Sequence, residues 1–181
     1  MTHNRQAFLK GTAIDLVLLE AHDNTTMLPW LNNPKVNKFL ARGATPMTLP
    51  IEDAFIADAY TKPEQIVFGI WHKKDQKLIG NTGLHSISQL NQTATFGIVI
   101  GEEDYWSSGH GTEVLNLMLA YAFTRRNLRS VTLSVFGNNP RGKSCYEKCG
   151  FVQTGMFPKH VFKEGAWHDE ILMIAENPMY Q

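Results

Sequence analysis

Tyr105-Trp106-Ser107-Ser108-Gly109-His110-Gly111-Thr112-Glu113 is the stretch on which the reading of this chain turns. It follows an alternating run from Thr93 to Ile100, in which Phe96, Ile98 and Ile100 oppose Thr95, Gly97 and Val99. It precedes a segment from about Gly109 to Arg126 whose apolar residues, Val114, Leu115, Met118, Leu119, Ala122 and Phe123, recur at helical spacing. The stretch is thus a glycine turn from a strand into a helix. The first N–H groups of a helix lack intrahelical partners and lie at the positive end of its dipole. Glycines there let an anion approach closely, so the turn suits a pyrophosphate. Without a ligand in view, an ordinary strand-to-helix turn would read the same way.

Working outward, Val131, Leu133 and Val135 mark the next strand. Asn138-Asn139-Pro140 starts a helix reaching Lys148, and Gly150 supplies its left-handed stop. Strands over Phe151 to Met156 and His168 to Ala175 complete the C-terminal half. Upstream, Ile14 to Leu19 alternates as an opening strand, and Ile66 to Trp71 and Leu78 to His85 form a hairpin with a charged tip. Between Asn24 and Lys62, helical periodicity is interrupted by Pro29, Pro34, Pro46 and Pro50. That punctuation predicts two short helices with an irregular connection, the later one starting near Leu49-Pro50. Hairpins followed by a strand–helix–strand unit predict a mixed α/β (α+β) sheet with helices on both faces, in one domain over residues 1–181. A Rossmann domain is disfavoured: the glycine turn follows several strands, and no Gly-x-Gly-x-x-Gly occurs.

Composition narrows the function. With 17 Lys plus Arg against 17 Asp plus Glu, whole-protein attraction to nucleic acid is not expected. No stretch has membrane-spanning length and no secretory leader is visible, so no membrane partner and a cytoplasmic location are expected. The two cysteines, Cys145 and Cys149, are four apart on a helix with no His or Cys at ligand spacing. They read as reduced thiols, with no metal.

Three segments together resemble the GCN5-related N-acetyltransferase (GNAT) superfamily, in its branch of ribosomal-protein N-terminal and polyamine acetyltransferases. Ala94 to Gly101 looks like the central strand, and Trp106 to Glu113 like the acetyl-CoA pyrophosphate loop. Asn139-Pro140-Arg141 with Tyr146-Glu147-Lys148-Cys149-Gly150-Phe151 looks like the pantetheine and catalytic-tyrosine helix. The resemblance is close over about a third of the chain. It departs at Trp106, where the superfamily often has Gln or Arg, and at Thr95, where many relatives carry a glutamate.

The resemblance implies the GNAT fold, a mostly antiparallel twisted sheet of six to seven strands. It implies acetyl transfer from acetyl-CoA, without a metal, to a primary amine by direct attack, the amine being a protein N-terminus or a small polyamine-like or aminoglycoside-like molecule. It leaves a homodimer open. The cofactor site it implies comprises Ile98, Val99 and Ile100, pairing by backbone with pantetheine beside a bulge, and Ser108, Gly109, His110, Gly111 and Thr112 around the pyrophosphate. Asn139, Arg141 and Tyr146 complete it, with Lys143 as a second cation for the 3′-phosphate. His110 is expected to act through its backbone while its side chain faces solvent.

Tyr146 is the expected proton donor to the departing thiolate, because a phenol keeps its proton at neutral pH. Thr95 cannot replace the missing carboxylate as a base, which leaves His85, Glu102 and Glu103, with His168 and Asp169 on the substrate side. Each has an ordinary alternative: Tyr146 and His85 in packing, Asn139 as a helix cap, the acids and Arg141 solvated. The missing strand glutamate also admits a non-catalytic acetyl-CoA sensor, and a glycine turn alone admits a nucleotide-binding domain of another class.

Overall fold

The structure, a computed structural model, describes residues 5–41 and 43–180. Eight strands form one sheet: β1 (Ala7–Lys10), β2 (Ile14–Val17), β3 (Ile66–His72), β4 (Lys77–Ser88), β5 (Thr93–Ile100), β6 (Ser130–Phe136), β7 (Val152–Lys163) and β8 (Ala166–Glu176). Their order across the sheet is β1-β2-β3-β4-β5-β6-β8-β7. Neighbours are antiparallel except β5 and β6, which run parallel. A parallel pair needs a crossover, and α4 (His110–Ala120) supplies it. The count is eight rather than six or seven. The addition, β1, is a four-residue edge strand with only Leu9 buried, too short for alternation to reveal.

Helices cover both faces, as the alternation of buried residues shows. Phe68, Ile79 and Phe96 share a core with Val114, Leu115 and Met118 of α4. Their strand neighbours Val67 and Leu78 join a second core with Met27, Trp30 and Ile56. That second face carries α1 (Asn24–Asn32), α2 (Pro34–Asn37) and α3 (Leu49–Asp58), three helical segments where two were expected. The additional one exists because Asn33 accepts a hydrogen bond from Lys35 N at 3.0 Å and Pro34 takes the first helical position. Pro29, by contrast, lies inside α1.

Two boundaries differ from expectation. Regular helix ends at Ala120, and residues Tyr121–Arg125 form a π turn closed by Arg126 N donating to Tyr121 O at 3.2 Å. The last two strands are much longer than their alternating parts. They meet at Glu164 and Gly165, with φ of 50° and 81°, a two-residue turn whose twist matches the strands it joins.

Candidate active site

Parallel pairing of β5 with β6 covers only Thr93–Thr95 against Ser130–Thr132, after which the strands part. Gly101 N donates to Ile79 O of β4 at 2.9 Å. Because main-chain groups alternate in direction along a strand, Val99 and Gly97 also aim theirs at β4, while Ile98 and Ile100 aim theirs into the gap. Trp106 Nε1 occupies the Ile100 carbonyl at 2.7 Å, so Ile98 offers the fuller pair of groups. The expected bulge beside Val99 is absent. Pairing runs unbroken from Gly80–Ile100 to His85–Thr95, and the irregularity falls later, between His85 and Ser88. Divergence of two strands, not a bulge, frees this edge.

A cavity of about 480 Å³ fills the gap. Ile98, Val99 and Ile100 border it from β5, and Gly109, Gly111 and Thr112 from the turn and α4. Asn139, Arg141 and Tyr146 of helix α5 (Pro140–Lys148) or its cap close the far side. These are most of the residues singled out from sequence. The fourth wall comes from the proline-punctuated stretch between Asn24 and Lys62, which the sequence reading expects beside the acceptor cleft: Lys35, Val36, Phe39 and Leu40, from α2 and the loop after it. Nothing in the local sequence links residue 39 to residue 146, so only the fold shows which residues of that stretch form the wall.

The turn holds its shape by conformation and by a brace. Gly109, at the helix cap, has φ of 86°, a left-handed value that disfavours a side chain. Glu113 in the first turn of α4 accepts from the main-chain N–H groups of Thr12 and Ala13, tying the helix to the β1–β2 connection. Ser108 Oγ turns back to the Trp106 carbonyl at 3.3 Å and does not border the cavity. His110 corrects an expectation. Its ring is buried rather than solvent-facing, 5.1 Å from His72 and 5.9 Å from Tyr105, and burial with the neighbouring His72 lowers its pKa. Tyr105 Oη in turn donates to Asp75 at 2.5 Å, which pushes its own pKa up to about 12 and lowers that of Asp75. The β3–β4 hairpin therefore buttresses the glycine turn, through contacts between residues some thirty apart.

On α5, Asn139 caps the helix by accepting from Gly142 N at 3.0 Å and also borders the cavity. Arg141 stacks 4.4 Å over the Trp106 ring, and both residues border the cavity. Lys143 pairs with Glu147 at 3.3 Å and does not border the cavity. Tyr146 packs edge-on to Phe151 and Phe96, at centroid distances of 6.0 and 6.5 Å. Burial, with Cys145 beside it, pushes the phenol up to about 12, so it stays protonated. Cys145 Sγ lies 3.5 Å from Thr112 Oγ1, and both thiols are free, packing α5 onto α4.

The three groups weighed as bases fare differently. His85 pairs with Thr95, and Thr95 with Thr132, on the sheet face opposite α4. Its imidazole lies between Gly83 and Gly97, with Nε2 3.1 and 3.5 Å from where a Cβ on each would stand, and it does not border the cavity. Burial lowers its pKa, so the ring is neutral and able to take a proton at pH 7. Glu103 is held by Lys35 at 2.9 Å and by Asn33, which lowers its pKa and weakens it as a base. Glu102 accepts from Trp30 Nε1 at 3.0 Å and pairs with Lys77 at 2.9 Å. Neither borders the cavity. Asp169 accepts from Lys159 N at 2.8 Å, and His168 lies opposite Val161 in the β7–β8 hairpin.

A parallel strand pair that splays around a cavity, with a glycine turn on one wall and a tyrosine helix on another, marks an acetyltransferase fold. The family model described as Acetyltransferase (GNAT) domain matches residues 14–152, and the chain belongs to that family. Among its relatives, spermidine N(1)-acetyltransferase of Vibrio cholerae is 34% identical over 94 residues, 52% of this chain and 54% of that protein. A probable N-acetyltransferase of Bacillus subtilis, YjcK, is 31% identical over 118 residues, 65% of each chain. The chain thus spans about half to two thirds of the length of these curated relatives. The crystal structure of spermidine N-acetyltransferase from Vibrio cholerae in complex with CoA and spermine shares the fold, with a TM-score of 0.84 and 24% identity over 93% of this chain and 98% of that one.

Proposed function

We propose that this protein transfers the acetyl group of acetyl-CoA to a primary amine by direct attack. The observation that carries the reading is the β5–β6 gap, whose free strand edge, glycine turn and buried tyrosine border one cavity. Acetyl-CoA supplies an activated thioester. The N–H groups at the start of α4 suit its diphosphate, and Arg141 suits its 3′-phosphate as a charge bordering the cavity. Ile98 suits the pantetheine amides, pairing with them as an added strand would. The fit is supported by the neighbour solved with CoA.

On this reading His85 takes a proton from the incoming ammonium across the gap at Gly97, directly or through one water. The neutral amine attacks the thioester carbonyl, and the C–S bond breaks as Tyr146, still protonated, gives its proton to the departing thiolate. The extra proton left on the new amide nitrogen returns to Tyr146. Measuring free CoA thiol with a panel of amines tests the proposal. Release that depends on an amine supports it. Tight acetyl-CoA binding with no release for any amine supports a sensor instead.

A further inference from the structure

Among the described residues, every charged one bordering the cavity is a cation: Lys35, Lys148 and Arg141, the last suited to the cofactor's 3′-phosphate. The wall carrying α2 continues that sign, since the described residues from Leu28 to Thr48 include Lys35 and Lys38 and no carboxylate. Lys38 Nζ sits 4.9 Å over the ring of Phe39, itself a cavity residue. Lys163 crosses from β7 to the same wall, buried, and donates to Leu40 O at 2.6 Å.

Four of the nearby acids are already committed. Glu102 serves Trp30 and Lys77, and Glu103 serves Lys35 and Asn33. On the hairpin, Asp169 accepts from Lys159 N and Glu170 lies 3.6 Å from His160. A polyamine needs a carboxylate or its equivalent for each further ammonium, and here it would meet lysines instead. Selectivity built on repulsion discriminates as well as selectivity built on attraction. A peptide α-amine carries one charge, lost near a pKa of about 8, and carboxylates beyond it would complement Lys38. The lowered pKa of His85 suits such an amine better than one near 10.

We propose that the acceptor is the α-amine of an acidic peptide N-terminus and that the lysine-bearing wall of α2 excludes polyamines. This rests on the acetyl-transfer reading above. The test measures CoA release by the full chain with spermidine and with two peptides that share a first serine but carry Glu or Lys at the next two positions. The Glu peptide is expected to exceed both others about tenfold in kcat/KM, through KM. Lys38→Glu should move the preference toward the Lys peptide and spermidine, and added salt should raise KM for the Glu peptide in the unaltered protein. Spermidine equal to or better than the Glu peptide overturns the inference and leaves acetyl transfer standing. So does a peptide preference indifferent to both Lys38→Glu and salt. CoA release with no amine at all overturns the acetyl-transfer reading, and this inference with it.

Discussion

Tyr146 borders the β5–β6 gap from α5, whereas His85 stands on β4 beside Gly97 and outside the cavity lining; the roles proposed for them require a protonated phenol and a neutral imidazole. Burial keeps the phenol protonated and the imidazole neutral. Tyr146→Phe is expected to lower kcat about a hundredfold while acetyl-CoA affinity stays nearly unchanged; unchanged turnover would remove Tyr146 from its role. His85→Gln should lower kcat/KM and flatten its rise on the acid side of the pH profile. The same group affects stability. Its folded pKa lies below the ordinary 6.5, so between the two values the unfolded chain binds more protons. Stability is therefore full above the ordinary value and falls as pH drops through the folded one. Thermal unfolding of His85→Gln should show a shallower loss over that window, with His110 contributing a remainder of the same sign.

At the scale of elements, the two glycines of the turn are needed for different reasons. Gly109 has open space around it but a φ of 86°, so Gly109→Ala should cost about 1–2 kcal/mol. It should also weaken acetyl-CoA binding by shifting the helix start. A Cβ on Gly111 would stand 3.4 Å from Cys145 Sγ, an ordinary contact. Gly111→Ala is then expected to be mild and Gly111→Arg to block the cavity, as calorimetric titration with CoA would register. Helix α5 depends on its cap, and Asn139→Ala should lower stability by about 1 kcal/mol. If Arg141 meets the 3′-phosphate, CoA binds more tightly than 3′-dephospho-CoA, and Arg141→Ala abolishes the difference. Equal affinity for both in the unaltered protein removes that contact.

Across the whole molecule, the second core reaches the end of β5 through one large side chain. Trp30, buried in the second core, lies with its indole where a Cβ on Gly101 would be, at the end of β5. Trp30→Ala should cost about 3–5 kcal/mol in chemical denaturation and release Glu102 from its indole bond. Acetyl-CoA binding should stabilise the entire fold, by about 2.7 kcal/mol at a hundred times its dissociation constant. ATP or NAD at equal concentration should give a smaller shift in thermal unfolding. A larger shift with either would place the glycine turn in another class of nucleotide-binding protein.

What the sequence by itself determined was local. Thr93 to Ile100 alternates as a strand, Gly109 and Gly150 punctuate helices, Asn139 and Pro140 start one, and these signals act within a few residues of chain. Ordered as they are, they also carried the family resemblance and with it Tyr146. The tertiary structure alone decided which residues lie across the gap. It placed α2 as the fourth wall, buried His110 against His72 and Tyr105, and stacked Arg141 on Trp106. It also spent Glu102 and Glu103 on partners far away in sequence. Such contacts form only when distant segments pack together, and no pattern of neighbouring residues encodes them.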